Sequence, residues 1–80
     1  MEATNATISY AGYGVYNSTV DVTTSITTAY RGGQRVFLAS NTWGGDPAPG
    51  QRKYLYITWA VSGNQLSGVT GEGDQKGINL

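Results

Sequence analysis

Apolar side chains recur at every second position from Leu55 to Val61. A strand through K-Y-L-Y-I-T-W-A-V therefore places Leu55, Ile57, Trp59 and Val61 on one face. Tyr54, Tyr56, Thr58 and Ala60 make the opposite face, and neither row carries a charge. A strand that is apolar or aromatic on both sides belongs in a layered β structure whose second face is packed, dimerised or used for binding. Elsewhere the apolar runs are short, rich in β-branched and aromatic residues and punctuated by glycine, which predicts several closely spaced strands. One is expected from Thr4 to Tyr10, interrupted by a turn or bulge at Gly12-Tyr13-Gly14, and a second from Tyr16 to Val22. From Asp21 to Tyr30 two readings stay open. Val22, Ile26 and Tyr30 recur at helical spacing, with Asp21 placed to cap a helical turn, whereas the threonine-rich composition favours a bent strand. Arg31-Gly32-Gly33 ends the element in either case. Further strands are predicted at Arg35 to Ser40, Gln65 to Thr70 and Gln75 to Leu80, with turns at Ser62-Gly63-Asn64-Gln65 and Gly71-Glu72-Gly73-Asp74. The expected fold is all-β: a small antiparallel β-sandwich or barrel-like module with one short helical turn near residues 22–30. No internal repeat or linker divides the chain, so residues 1–80 are read as a single domain.

Composition narrows the chemistry more than it narrows the fold. A chain of 80 residues buries only about 60% of the surface its unfolded form exposes, so association with other chains is an expected source of extra stability. Cysteine and histidine are both absent. That removes disulfides, thiolate and imidazole metal sites, and Ser-His-Asp or Cys-His catalysis. No metal, no cofactor and no enzymatic activity are expected. Five basic and five acidic residues are scattered along the chain, so no basic stripe is present for nucleic acid or for a polybasic membrane contact. The near-zero net charge instead eases self-association. M-E-A-T-N-A-T-I has neither the basic nor the apolar region of a signal peptide, and no stretch approaches the ~20 apolar residues of a membrane helix, so a soluble chain of unspecified compartment is expected. Asn5-Ala6-Thr7 and Asn17-Ser18-Thr19 fit the glycosylation sequon and are read as chance matches in a threonine-rich chain.

Candidate recognition chemistry centres on N-T-W-G-G-D-P-A-P-G, the loop preceding the alternating strand. A sugar needs an aromatic surface for its C–H groups, amide or carboxylate partners for its hydroxyls, and glycines that let backbone approach. Asn41, Trp43, Gly44, Gly45 and Asp46 supply all three, and Tyr54 and Tyr56 add rings on one strand face. The competing readings are an Asp46-Pro47 turn that absorbs its own carboxylate, a Trp43 that caps the core, and tyrosines spent on a second core layer or a seam between copies. Glu72 and Asp74 are read as a solvated turn, since a calcium ion would want more oxygens than they supply. The function expected is a non-enzymatic, lectin-like module that binds glycans through these residues. The alternative is a structural or protein-interaction module that forms homo-oligomers through its aromatic strand face or by strand addition at an open edge.

Asp21-Val22-Thr23, a Gly-Gly turn, Gly45-Asp46-Pro47-x-x-Gly50-x-x-Lys53-x-Leu55-x-Ile57-x-Trp59 and a closing Ile78-Asn79-Leu80 together resemble a known pattern. It is that of the β-rich domain of unknown function at the C-terminus of the mitochondrial J-protein of subfamily C, member eleven, and its short free-standing bacterial and fungal relatives. The resemblance runs from Ile8 onward, and G-D-P-x-x-G-x-x-K-x-L is its most specific part. It implies a compact β-sandwich-like module without assigned chemistry. The chaperone association of the larger relatives is not implied, because the chain has no J-domain. N-T-W-G-G-D-x-A-P also looks similar to the sugar-contacting loops of cyanobacterial mannose-binding lectins, although those are built from longer repeats absent here.

Overall fold

A computed structural model describes residues 6–80. Its elements are β1 (Thr7–Val15), β2 (Ser18–Asp21), α1 (Thr23–Arg31), β3 (Val36–Phe37), β4 (Tyr54–Val61), β5 (Asn64–Gly71) and β6 (Ile78–Asn79). Four strands form an antiparallel sheet in the order β2-β1-β4-β5, and β3 pairs with β6 in a second, two-stranded sheet. The protein is thus mostly strand, arranged in antiparallel sheets with one short helix.

The alternation of β4 sets the layers. Leu55, Ile57 and Trp59 are buried, while Tyr54 and Tyr56 on the other face are not. Cross-strand register places Ala11 opposite Ile57 and Tyr13 opposite Leu55, which extends the buried row across β1. Val22, Ile26 and Tyr30 pack onto this row from the helix side, joined by Phe37 and Ile78 of the small sheet. The helical spacing of those three residues therefore prevails, and α1 runs to nine residues rather than a single turn. Its N-cap is Val22 and not the expected Asp21, and it has no side-chain cap. Asp21, one residue earlier, accepts bonds from the Thr23 N–H (2.9 Å) and hydroxyl (2.6 Å). The Thr23 Oγ1 in turn accepts the Ala11 N–H at 2.9 Å, taking over where β2 leaves the ladder.

Three of the predicted features move. The Gly12-Tyr13-Gly14 segment is not a turn: β1 passes straight through it and the chain reverses at Tyr16-Asn17, while the bulge falls earlier, between Ile8 and Tyr10. Of the first predicted strand, Thr4 and Asn5 lie outside the described residues. The strands expected at 35–40 and 75–80 shrink to two residues each. Gly77 has φ +69°, outside the extended region, so β6 begins only at Ile78, and β3 has no longer partner to pair with.

One polar atom in the core is unsatisfied. Thr70, 3% exposed and opposite Leu55, has a hydroxyl with no hydrogen-bond partner among the described residues. Replacing a buried hydroxyl by a methyl of the same shape removes a desolvation cost. Thr70→Val is expected to stabilise the protein by about 1 kcal/mol, measured by urea denaturation.

Candidate functional site

The residues singled out in the sequence fall on opposite sides of the four-stranded sheet. Asn41, Trp43, Gly44, Gly45 and Asp46 belong to the long connection between β3 and β4, which folds over the core-facing side at one end of the sheet. Trp43 is half-buried with its ring 5.9 Å from that of Phe37, and its indole N–H donates to the Leu38 carbonyl at 2.8 Å. Gly44 lies so close to Val20 and Val22 that a Cβ there would come within 2.8 Å of Val22. Gly45 has φ +93° and no atom near the position of a Cβ, so it serves the turn rather than a close contact. Tyr54 and Tyr56 point the other way, so no single small ligand can touch both Trp43 and these rings.

The polar groups of the loop are engaged within the protein. The Asn41 Oδ1 accepts the Tyr13 hydroxyl at 2.7 Å. Asp46 accepts the Ala48 N–H (3.2 Å) and forms an ion pair with Lys53 Nζ at 3.0 Å. Lys53 is 4% exposed, the one charged residue in the interior among the described residues. Its ammonium also meets Glu72 at 3.3 Å and donates to the carbonyls of Ala48 (3.2 Å) and Gln51 (2.7 Å). Glu72 further accepts the Lys53 backbone N–H (2.9 Å) and lies 3.1 Å from the Tyr13 hydroxyl, whose single proton it shares with the Asn41 Oδ1. The solvated turn expected at Glu72 is therefore corrected: its half-buried carboxylate closes a network with the buried Lys53 and Tyr13 and the more exposed Asp46 and Asn41.

Ionisation follows from these contacts. The bond from the Lys53 backbone holds the Glu72 carboxyl below its usual range, aided by the Tyr13 hydroxyl and the Lys53 ammonium. Hydrogen bonding to Asp46 raises the Lys53 ammonium, and burial with the adjacent Glu72 raises the Tyr13 phenol. Each group is thereby fixed in its neutral-pH form, Lys53 charged and Tyr13 protonated. A lysine that stays protonated and has acceptors around its whole head is a clamp and not a base. No cluster of three or more candidate metal ligands exists among the described residues, Glu72 and Asp74 included.

Comparison with known proteins returned no matching family model, curated protein or solved structure.

The outer face of the sheet has a different character. Gly12 and Gly14 of β1 stand opposite Tyr56 and Tyr54 of β4, and Gly71 of β5 stands on the other side of Tyr54. Gly12 and Gly71 form a floor on which side chains lie, Tyr10 over the first and Arg52 with Tyr54 over the second, whereas the space beside Gly14 is filled by the backbone of Ser18 and Thr19. The Tyr10 ring covers Gly12, where a Cβ would come within 2.7 Å of its hydroxyl. Tyr54 and Tyr56 have ring centroids 6.4 Å apart at an interplanar angle of 40°. The Arg52 guanidinium lies 5.0 Å from the Tyr54 ring centroid, donates to the Tyr54 hydroxyl (3.1 Å) and is anchored on the Glu72 carbonyl (2.9 Å). Val69, opposite Tyr56, continues the surface, and Thr58, Ser67 and Gln65 line it with polar groups. Tyr10 is 45%, Tyr56 36% and Val69 58% exposed. Tyr54 and Tyr56 share one face as expected, whereas Tyr10, expected on the same face as Ile8, lies on the opposite one, because the bulge between them leaves Ile8 packed on the core beside Trp59 and Tyr10 across from Thr58. The signal for it is the glycine two residues later, which makes room for its ring.

A cleft of about 410 Å³ opens elsewhere, between the start of β1 and the end of α1, lined by Ala6, Ile8, Thr27, Tyr30, Arg31 and Arg35 among others. Arg35 is stacked 3.8 Å over the centre of the Tyr30 ring and bonded to the Tyr30 carbonyl. None of the candidate residues lines it. No helix among the described residues is long and apolar enough to cross a membrane.

Proposed function

We propose that this protein is a non-enzymatic binding module that recognises carbohydrate on the tyrosine face of its four-stranded sheet. The observation that supports this reading best is the uncovered row of Tyr10, Tyr54 and Tyr56 over a glycine floor, while helix and small sheet cover only the other side. Aromatic rings half in water are suited to apolar C–H faces, and the surrounding hydroxyl and amide groups to sugar hydroxyls. The surface is nearly uncharged, with Arg52 held on the Glu72 carbonyl beside Tyr54 and Asp21, across from Gly12 on the β2 edge, held by Thr23. A neutral, extended saccharide matches it better than an anion or a small metabolite that needs enclosure. The loop bearing Asn41, Trp43 and Asp46 contributes by supporting the end of the sheet. In the same way G-D-P-x-x-G-x-x-K, the segment that carries the resemblance to the J-protein terminal domain, acts as the Asp46–Lys53 clamp.

The absence of catalysis in this reading rests on chemistry. The cleft beside α1 has arginines as its charged groups, which do not exchange protons near neutrality, and the carboxylates of the network are occupied by Lys53.

A glycan array tests the proposal. Wild-type protein is expected to give hits, Tyr56→Ala to lose at least about tenfold in affinity, as removal of a central aromatic contact does, and Trp43→Phe to retain them. Binding that survives Tyr56→Ala and Tyr10→Ala but fails in a folded Trp43→Phe variant would return the site to the loop.

A further inference from the structure

The two edges of the four-stranded sheet are treated differently. β2 is four residues long, its Ser18 hydroxyl donates to the Pro47 carbonyl at 2.6 Å, and Gly44 of the same loop packs against Val20. β5 is eight residues long and pairs with β4 without a break in register. It contains no charge, no proline and no bulge, the devices with which proteins protect an exposed edge.

Register shows which backbone groups it leaves open. The Glu72 N–H donates to the Lys53 carbonyl at 2.9 Å, one step beyond the Tyr54–Gly71 pair. Bonded pairs alternate in an antiparallel ladder, so Leu55–Thr70, Ile57–Gly68 and Trp59–Leu66 are bonded as well. The N–H and C=O groups of Gln65, Ser67, Val69 and Gly71 then point away from β4. The Gly71 carbonyl shows this directly, accepting the Asp74 N–H at 3.0 Å. For Gln65, Ser67 and Val69, no backbone bond arrives from any other element among the described residues.

We infer that this edge pairs with the same edge of a second copy, antiparallel about a two-fold axis through Ser67. In that register Ser67 faces its own counterpart and Gln65 faces Val69 of the second copy, each pair exchanging both backbone bonds. Every side chain keeps its side of the sheet, because residues of equal parity meet. The uncharged strand and the chain's zero net charge bring no like charges together across the axis. A foreign peptide strand would need flanking pockets to select its side chains, and the cleft beside α1 lies away from β5. The product is one continuous sheet with the tyrosine faces of both copies on the same side. The pairing does not depend on what that face binds.

Cross-linking and sedimentation together test it. The protein has no cysteine, so Ser67→Cys introduces a single thiol. Bonded antiparallel neighbours have Cα atoms about 5.5 Å apart, inside the range of about 4.4 to 6.8 Å that a disulfide spans. Under mild oxidation Ser67→Cys is expected to run mostly as a covalent dimer, while Thr24→Cys on the exposed helix surface stays mostly monomeric. Wild-type protein is expected to show a concentration-dependent mass by sedimentation equilibrium. Ser67→Lys, which sets two ammonium groups face to face, shifts the dimer to at least about tenfold higher concentration without changing the circular dichroism. A wild-type chain that stays monomeric at millimolar concentration overturns the pairing. So does a Ser67→Cys variant that cross-links no faster than Thr24→Cys, or a Ser67→Lys variant that dimerises like wild type.

Discussion

Lys53→Met is expected to lower the midpoint of thermal unfolding more than removal of any other single charge in the chain, with Arg31→Met and Lys76→Met as exposed comparators. Lys53 brings Asp46, Glu72 and the carbonyls of Ala48 and Gln51 to one point, with its side chain 5% exposed. Methionine fills much the same volume but leaves two carboxylates and two carbonyls at the end of the core without their cation. Only the lysine end is buried, the Asp46 and Glu72 side chains being 35% and 31% exposed. The loss therefore comes chiefly from two neighbouring carboxylates and two carbonyls left facing one point without a cation, which still exceeds the loss of a surface pair. Lys53→Arg restores the charge but brings a planar fork where a compact head is surrounded on all sides, and is expected to recover only part of the loss. A midpoint equal to those of the exposed comparators would remove Lys53 as the organising contact of the loop.

The same network sets the pH range of stability. Glu72 and Asp21 have folded pKa values held below their ordinary 4.5 and 3.8. As pH falls past those ordinary values the unfolded chain takes up protons first, so their contribution, complete at neutral pH, is lost down through the folded values. Tyr13 and Lys53 are raised above their ordinary 10.0 and 10.5. Their contribution is complete below those values and is lost as pH rises above them, because the unfolded chain then releases protons first. Urea midpoints are therefore expected to be level between about pH 5 and 9 and to fall on both sides. Glu72→Gln is expected to make the fall on the acid side shallower, leaving the part that Asp21 contributes.

The second large effect is expected at Gly14. Its φ of +152° is one that side-chain-bearing residues rarely adopt, and a Cβ there would lie 2.1 Å from the Ser18 carbonyl oxygen and 2.7 Å from the Thr19 Cα. The obstacles are backbone atoms, so nothing can rotate aside. Backbone strain and overpacking each cost about 1–3 kcal/mol. Gly14→Ala is expected to lose about 2–4 kcal/mol, and the whole domain has only ~4–12 kcal/mol to lose. Amide exchange locates the damage: protection should vanish first in β2 and in β1 from Gly12 onward. Uniform loss of protection, or none, would contradict this placement.

Gly14 also shows why the sequence is hard to read at that point. Glycine in an apolar run signals either a turn or a close approach, and only the partner strands decide which. The layers were legible because alternation from Leu55 to Val61 is a local property of one strand, and α1 was half legible because Val22, Ile26 and Tyr30 keep a helical period against threonine composition. β3 and β6 were overestimated because strand length depends on the partner, and Gly77 shortens both. In the candidate site, Asp46 and Lys53 are seven positions apart within one motif, but Glu72 and Tyr13 reach them only through folding. Nothing local marks a glutamate between two glycines as the counter-ion of a buried lysine.

The separation of a supporting loop from an open tyrosine face is tested most directly by amide and aromatic chemical-shift mapping, with a glycan identified on the array titrated into labelled wild-type protein. The largest shifts are expected at Tyr10, Tyr54, Tyr56 and Val69, with the Trp43 indole N–H unmoved on its Leu38 carbonyl. Shifts confined to Asn41, Trp43 and Asp46, with the tyrosine rings unchanged, would contradict the account.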